Sequence, residues 1–378
     1  MTFTSFGLSA PILSVLTEMG YQSPTPIQQQ AIPLVMQGRD VFGCAQTGTG
    51  KTAAFALPII HQLIHDAGMH KGMPRPVSAL ILAPTRELAI QIKDNVASYT
   101  RHTPVKHAVV FGGVSYGAQI RALNQGADIL IATPGRLMDL MQQGYVHLSQ
   151  VKFFVLDEAD RMLDMGFIHD IRRIIQKLPQ QKQTLFFSAT ASLVIMKLAQ
   201  GILNNPERVT VSPVLSTSKL INQSVYYVSR KNKRSLLNYL IENQKIEHAL
   251  VFTRTKRGAD RVAKDLNAGG IKAEAIHGDK SQQAREKALS GFKNRRIRIL
   301  VATDIASRGI DVDKLSHVIN YEIPEHAETY VHRIGRTGRA GYSGTAMSLC
   351  AEEEVPYLKD IHKLIKQNIE VVAAHPFA

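Results

Sequence analysis

The chain has 378 residues, 44% of them hydrophobic, with 45 Lys and Arg against 31 Asp and Glu and a formal net charge of +14. Two domains of ordinary size fit this length. No apolar run reaches the roughly 18 residues a membrane-spanning helix needs, and two cysteines, Cys44 and Cys350, are too few for a disulfide framework or a zinc site.

The basic excess lies in both halves: 18 basic against 13 acidic residues up to position 208, and 27 against 18 beyond it. Such an excess favours a polyanionic partner through counterion release and long-range attraction. Residues 1–5 carry neither a basic nor an apolar signal region, and the scarcity of cysteine points to a reducing compartment, the cytoplasm.

In chain order, the first feature is a loop punctuated by proline, Gly20 to Gln28. The Gln28 amide offers one donor and one acceptor face, which suits an adenine edge. Phe3 or Tyr21 could stack on the base; composition alone would make them core aromatics. Next come short apolar runs at 40–44, 79–83, 107–111, 128–132, 153–156 and 184–187, alternating with helical patterns. A stretch rich in turn formers comes after them, and runs resume at 249–252, 299–302 and 317–321. Continuous runs suit strands covered on both faces, and their alternation with helices predicts an α/β fold with parallel, doubly wound sheets. The spacing predicts a first domain at 1–208, a linker at 209–218 and a second domain at 219–378.

Strand after strand ends in small, polar or charged residues: Gln46-Thr47-Gly48, Pro84-Thr85-Arg86, Gly112-Gly113, Thr133 to Arg136, Asp157-Glu158 and Ser188 to Thr190. The second half repeats this with Thr253-Arg254 and Thr303-Asp304. Ligands of open α/β sheets bind at that edge, so two such edges in one chain suggest a site built between two similar domains.

Ala45-Gln46-Thr47-Gly48-Thr49-Gly50-Lys51-Thr52 comes directly after a strand and opens a helix, the context of a phosphate-binding loop. Its glycines let backbone N–H groups turn toward an anion. Lys51 is placed to reach the β- and γ-phosphates, and Thr52 to hold Mg²⁺. Asp157-Glu158-Ala159-Asp160 is ambiguous alone, since acids also suit a helix N-terminus. With Lys51 and Thr52 it completes a hydrolytic site, Asp157 anchoring Mg²⁺ and Glu158 orienting water. Arg336 and Arg339 in His332-Arg333-Ile334-Gly335-Arg336-Thr337-Gly338-Arg339 suit arginine fingers supplied across a domain interface. An isolated cluster of this kind would be a solvated basic turn.

Taken in order, PTREL at 84–88, TPGR at 133–136, DEAD at 157–160, SAT at 188–190, ATDIASRGID at 302–311 and HRIGRTGR at 332–339 make the chain resemble the DEAD-box helicases of superfamily 2. The bacterial RhlE-type subgroup is the nearest likeness. The resemblance runs from Phe3 to about Leu349 and implies two tandem RecA-like domains with ATP and Mg²⁺ as cofactors. It implies that Phe3, Tyr21 and Gln28 select adenine, that Ala45 to Thr52 hold the phosphates, and that Asp311 binds ribose. Arg336 and Arg339 would sense the γ-phosphate, and Ser188, Thr190, Asp160 and His332 would couple hydrolysis to domain contact. RNA would lie across Pro84, Thr85, Arg86, Gly112, Gly113, Thr133, Arg136, Thr253, Arg254, Gln282, Arg285 and Thr303. Contacts to phosphate and sugar carry no sequence information directly. The implied mechanism is closure of two domains on ATP and single-stranded RNA, with RNA-dependent hydrolysis and local duplex opening. An ATP-gated RNA clamp without productive unwinding is the alternative. The expected partner is RNA, with ribosomal or RNA-decay proteins plausible for the family; the chain is expected to act as a monomer away from membranes.

Other residues read blandly. The fourteen histidines show no metal-ligand spacing. Cys44 reads as a small strand residue, Lys293 to Arg298 as a solvated basic turn, and Glu352-Glu353-Glu354 as the start of the last helix. Residues 373–378 hold no basic run, whereas RhlE-type proteins often carry a basic tail, so a minimal or shortened chain is expected.

Overall fold

Most of the apolar runs become strands buried on both faces, as their continuity requires, while the edge strand at 107–110 buries alternate residues more deeply. A computed structural model of the chain describes residues 1–46, 48–69, 75–211, 221–304, 315–338 and 344–377. The chain divides into two units, Met1–Pro213 and Val214–Ala378. Thr47, Asp311, Arg339 and the linker residues 212–218 lie outside the described residues.

The first unit carries β1 (Val41–Cys44), β2 (Ala79–Leu82), β3 (His107–Val110), β4 (Ile129–Ala132), β5 (Phe153–Leu156), β6 (Gln183–Ser188) and β7 (Glu207–Thr210). They pair in the order β3-β4-β2-β5-β6-β1-β7, every pairing parallel. Around the sheet run α1 (Ala10–Glu18), α2 (Pro26–Met36), α3 (Lys51–Met69), α4 (Arg86–Tyr99), α5 (Tyr116–Asn124), α6 (Pro134–Gln142), α7 (Ala159–Asp164), α8 (Ile168–Ile175) and α9 (Leu193–Gln200). Alternate strand residues serve opposite faces. Val41, Ile81, Ile131, Val155 and Leu185 enter one core cluster; Phe42, Leu80, Leu130, Phe154 and Phe186 enter the other.

Register is what builds the site edge. Phe42 lies beside Phe186, Phe186 beside Leu156, Leu156 beside Leu82, Leu82 beside Ala132, and Ala132 beside Val110. The polar segments after these residues therefore leave the sheet at one level. Strand β7 also shows that pairing with β1 continues to Thr210, two residues into the stretch read from sequence as linker.

The second unit holds β8 (Ile221–Tyr227), β9 (Ala249–Thr253), β10 (Ala273–Ile276), β11 (Ile299–Thr303), β12 (His317–Asn320), β13 (Gly344–Cys350) and β14 (Glu370–Val371). Their order is β10-β11-β9-β12-β13-β8-β14, again all parallel. The helices are α10 (Lys233–Asn243), α11 (Lys256–Ala268), α12 (Gln282–Lys293), α13 (Ala327–Ile334) and α14 (Val355–Ile365). The sequence pattern does not pick out β7, β8, β10, β13 or β14. Strands β7, β8 and β10 alternate buried with exposed residues, and β13 is rich in small polar residues, so none reads as a continuous apolar run. Among the described residues no helix is long and apolar enough to cross a membrane.

Candidate functional site

In the first unit β1 delivers the chain to the phosphate loop, and α3 begins at Lys51. Gly48 and Gly50 take φ of +87° and +94°, left-handed values that glycine adopts without a Cβ penalty. Thr49 Oγ1 donates to Gln46 O at 2.7 Å, closing the loop on itself. Gln28 braces it from α2: its Oε1 accepts from Thr25 N at 2.9 Å and its Nε2 donates to Gly50 O at 3.1 Å. A Cβ on Gly50 would lie 2.4 Å from that Nε2. Phe3 and Tyr21 pack on each other with centroids 6.0 Å apart, and the Tyr21 hydroxyl meets that of Tyr99 at 3.2 Å. Of the three adenine candidates, Gln28 is the one bonded to the phosphate loop; Phe3 is buried in the core, the blander of its two readings.

Lys51 Nζ donates to Ala45 O at 3.0 Å and stands 3.8 Å from Asp157 Oδ1, both side chains buried. Burial pushes the Asp157 carboxyl up to about 6, with Glu158 and Asp160 adding in the same direction and Lys51 opposing them. Glu158 is left-handed at φ +53° and stands immediately before α7. Arg161, one turn on, holds its carboxylate at 3.0 Å in a buried ion pair. Asp160 reaches across to the next strand end. Its Oδ2 accepts from Ala189 N at 3.1 Å and from Thr190 Oγ1 at 3.4 Å, while Thr190 N donates to Ser188 Oγ at 3.2 Å. The acidic tetrad and the Ser188–Thr190 segment are thus one bonded unit. Cys44 beside them has its thiol raised by burial, which fits a packing residue rather than a nucleophile.

Farther along the same edge, three helix N-termini converge. Thr85 caps α4 by accepting from Leu88 N, and Thr133 and Ser115 stand before α6 and α5. Arg86 lies against the Gly112-Gly113 turn: a Cβ on Gly113, whose φ is +80°, would be 1.9 Å from Arg86 Nη1. Arg136 donates to Val114 O at 3.0 Å and lies 4.1 Å from the centre of the Tyr116 ring. Pro84, Thr85, Arg86, Gly112, Gly113, Thr133 and Arg136 therefore form one edge where helix N-termini and two guanidinium groups suit a phosphate chain. Gln119, which sequence reasoning missed, pins the turn by bonding both N and O of Phe111 at 3.1 and 3.0 Å.

In the second unit Thr253 and Thr303 sit side by side at the ends of β9 and β11. Gln282 opens α12, bonded to Glu286 at 2.8 Å, and Arg285 stands half-buried one turn on. Arg254 is engaged by acids: its N donates to Glu322 Oε2 at 2.7 Å, and its guanidinium lies 3.4 Å from both Glu325 and Glu354. His332 and Arg336 occupy α13 and the turn after it, Arg336 buried. Arg333 between them carries the local structure, unforeseen from sequence. It is 1% exposed, pairs with both oxygens of Asp304 at 2.6 and 2.9 Å, bonds Asn320 Oδ1 at 3.1 Å and Glu322 O at 2.7 Å, and lies over Phe252. The signal available was its place inside the arginine-rich motif; only packing distinguishes it from Arg336. Among the described residues no group of three or more His, Cys, Asp or Glu could hold a metal by itself.

Comparison with known proteins falls along the same division. The DEAD/DEAH box helicase pattern matches residues 25–198, and the helicase conserved C-terminal domain pattern matches 232–341. The ATP-dependent RNA helicase CshA of Listeria monocytogenes is 42% identical over 374 residues, covering 98% of this chain and 70% of that protein. The ATP-dependent RNA helicase RhlB of Shewanella frigidimarina is 42% identical over 371 residues, covering 98% and 86%. Among solved structures, S. cerevisiae Dbp5 bound to RNA and ADP BeF3 superposes with a TM-score of 0.87 at 30% identity, covering 98% of this chain and 95% of that one.

Proposed function

The chain belongs to the DEAD-box family of ATP-dependent RNA helicases, and from that membership we propose that it is an RNA-stimulated ATPase that opens short stretches of duplex when its two RecA-like units close on ATP and one RNA strand. The observation that carries this reading is that the tetrad 157–160 faces both ways: Asp157 pairs with Lys51, and Asp160 bonds Ala189 and Thr190. It links the phosphate loop to the segment expected to report the nucleotide state.

Residues 45–52 take the triphosphate, Gln28 bracing their loop. Glu158, oriented by Arg161, positions the attacking water and takes its proton. Arg336 and Arg339 approach the γ-phosphate when the units close, and Asp311 takes the ribose. RNA runs along the edge from Thr85 to Arg136 and along Thr253, Arg254, Gln282, Arg285 and Thr303. Closure is favoured by ATP and RNA together because both prefer the closed state, which makes their effects reciprocal. A bent strand held this way leaves its complement, so base pairs open locally.

Magnesium fits the residues present. Asp157 is a fully buried carboxylate beside Lys51, and Thr52 offers a hydroxyl at the start of α3; oxygen donors of this kind suit a hard divalent cation shared with phosphates and water. When bound, it neutralises charge on the β- and γ-phosphates. Both cysteines are free thiols, in keeping with a reducing, cytoplasmic setting.

The test is ATP turnover with and without single-stranded RNA, together with strand displacement, for the parent chain and Glu158→Gln. Strong stimulation and displacement are expected of the parent. The variant should bind both ligands and turn over about 100-fold more slowly or worse. Equal rates with and without RNA would refute the coupling; stable RNA capture without displacement would leave a clamp.

A further inference from the structure

Glu354 reads from sequence as one of three acids opening a helix, yet the fold buries it to 2% exposure while its neighbours Glu352 and Glu353 stay exposed. Its carboxylate accepts three hydrogen bonds and faces one guanidinium. Lys233 Nζ and Ala351 N (2.9 Å) donate to Oε2, Ile323 N (3.2 Å) donates to Oε1, and Arg254 Nη2 lies 3.4 Å from Oε1. Lys233, also 2% exposed, spends its remaining donors on Tyr321 O and Leu349 O, both at 2.8 Å. Every capacity of the ammonium group is used. The pair therefore ties together the segments at the ends of β9, β12 and β13, on the carboxyl edge of the second sheet.

A buried pair of this kind is weak evidence for stability, since apolar residues of similar volume often serve as well. An apolar pair would leave Ala351 N and Ile323 N without that acceptor, and it could not face Arg254 with a charge. Glu354 aims one oxygen at Arg254, a residue placed on the RNA edge. The other acid on that guanidinium, Glu325, is different: its side chain is 59% exposed, and an exposed carboxylate is held weakly and screened by solvent. Arg254 thus has one carboxylate locked in the core at ion-pair distance, and one exposed acceptor of its Nη1 that an incoming anion can replace.

We propose that Glu354, held by Lys233, is the positioning residue for Arg254, and that an RNA phosphate takes the place of Glu325 on Nη1 while Glu354 keeps Nη2. This rests on the reading of Arg254 as an RNA contact. It makes two acids on one guanidinium act with opposite sign: Glu354 prepares the RNA contact, and Glu325 competes with it.

The experiment measures the ATPase KM for single-stranded RNA and kcat at saturating RNA, with thermal unfolding alongside, for Glu354→Gln, Glu325→Gln and the double variant Lys233→Met/Glu354→Gln. Glu354→Gln is expected to raise the KM for RNA about five- to tenfold with kcat within about twofold. Glu325→Gln is expected to lower it about two- to threefold. The double variant removes both buried charges, so its melting temperature should recover relative to Glu354→Gln while its KM stays high. That persistence separates positioning from structural support. The proposal is overturned if both single variants move KM the same way, if Glu354→Gln lowers kcat with KM unchanged, or if KM recovers together with stability in the double variant. Should the single variant fail to fold, the double variant and Glu325→Gln decide the matter. Absence of RNA stimulation in the parent chain would instead count against the helicase reading.

Discussion

Replacing Gln28 by methionine separates two jobs that its amide could do. The family resemblance implies that it reads adenine; the fold also uses it to hold the phosphate loop. The side chain is 4% exposed, with one bond from Thr25 N and one to Gly50 O. Methionine keeps the volume and removes both bonds. Each paired bond is worth about 1 kcal/mol, and a buried group left without a partner costs about 1–3 kcal/mol. The combined loss is therefore about 2–4 kcal/mol, divided between the stability of the first unit and the order of the loop. If about a third of it falls on the loop, nucleotide affinity drops about threefold to tenfold, 1.4 kcal/mol being tenfold. The assay is binding of Mg-ATP and Mg-GTP to parent and variant, with chemical denaturation of the same samples. Loop bracing predicts that both nucleotides weaken alike. Base reading, for which the amide still has its second lone pair and second N–H, adds a loss confined to ATP. Unchanged affinity for both nucleotides with an unchanged denaturation midpoint would refute the bracing role.

Three further outcomes are expected. Asp157 must be ionised to face a cation, and its carboxyl is raised to about 6; Mg-nucleotide affinity should therefore fall as pH drops through about 6, with Asp157→Asn abolishing that step in a binding titration. For the fold the sign is opposite to that of an ordinary paired carboxylate: a raised native value gives Asp157 a stabilising contribution below its unfolded value near 4, lost as pH rises through about 6, so denaturation midpoints of the parent and the Asn variant should converge in acid. Gly113→Ala puts a Cβ 1.9 Å from Arg86 Nη1 at a backbone φ of +80° and should raise the KM for RNA about tenfold or more while leaving ATP affinity unchanged; an unaltered KM would show that the turn does not take part in the RNA edge.

The adjacent motifs were legible in the sequence because their chemistry is local. A loop with glycine at two positions that need positive φ, running into Lys51 at a helix start, specifies an anion site from a few neighbouring residues; the tetrad at 157–160 became readable only beside Lys51 and Thr52, and the role of 188–190 only through the family resemblance. Strands such as β2 and β4 were legible because a strand covered on both faces must be apolar throughout. Strands β8, β10 and β13 were not, because alternation or small polar residues replace that run where a face is exposed or the packing tight.

What the sequence could not assign was the work of residues whose partners are far away in the chain. Glu354 and Lys233 are 121 positions apart, and Arg333 meets Asp304 across 29. Nothing in the local pattern separates Glu354 from Glu353, or Arg333 from Arg336. Burial decides between the glutamates, and the partners met decide for Arg333, since both arginines are buried: a charge removed from water must find opposite charge or hydrogen bonds within a few ångströms, and only the tertiary structure fixes which residues arrive at that distance.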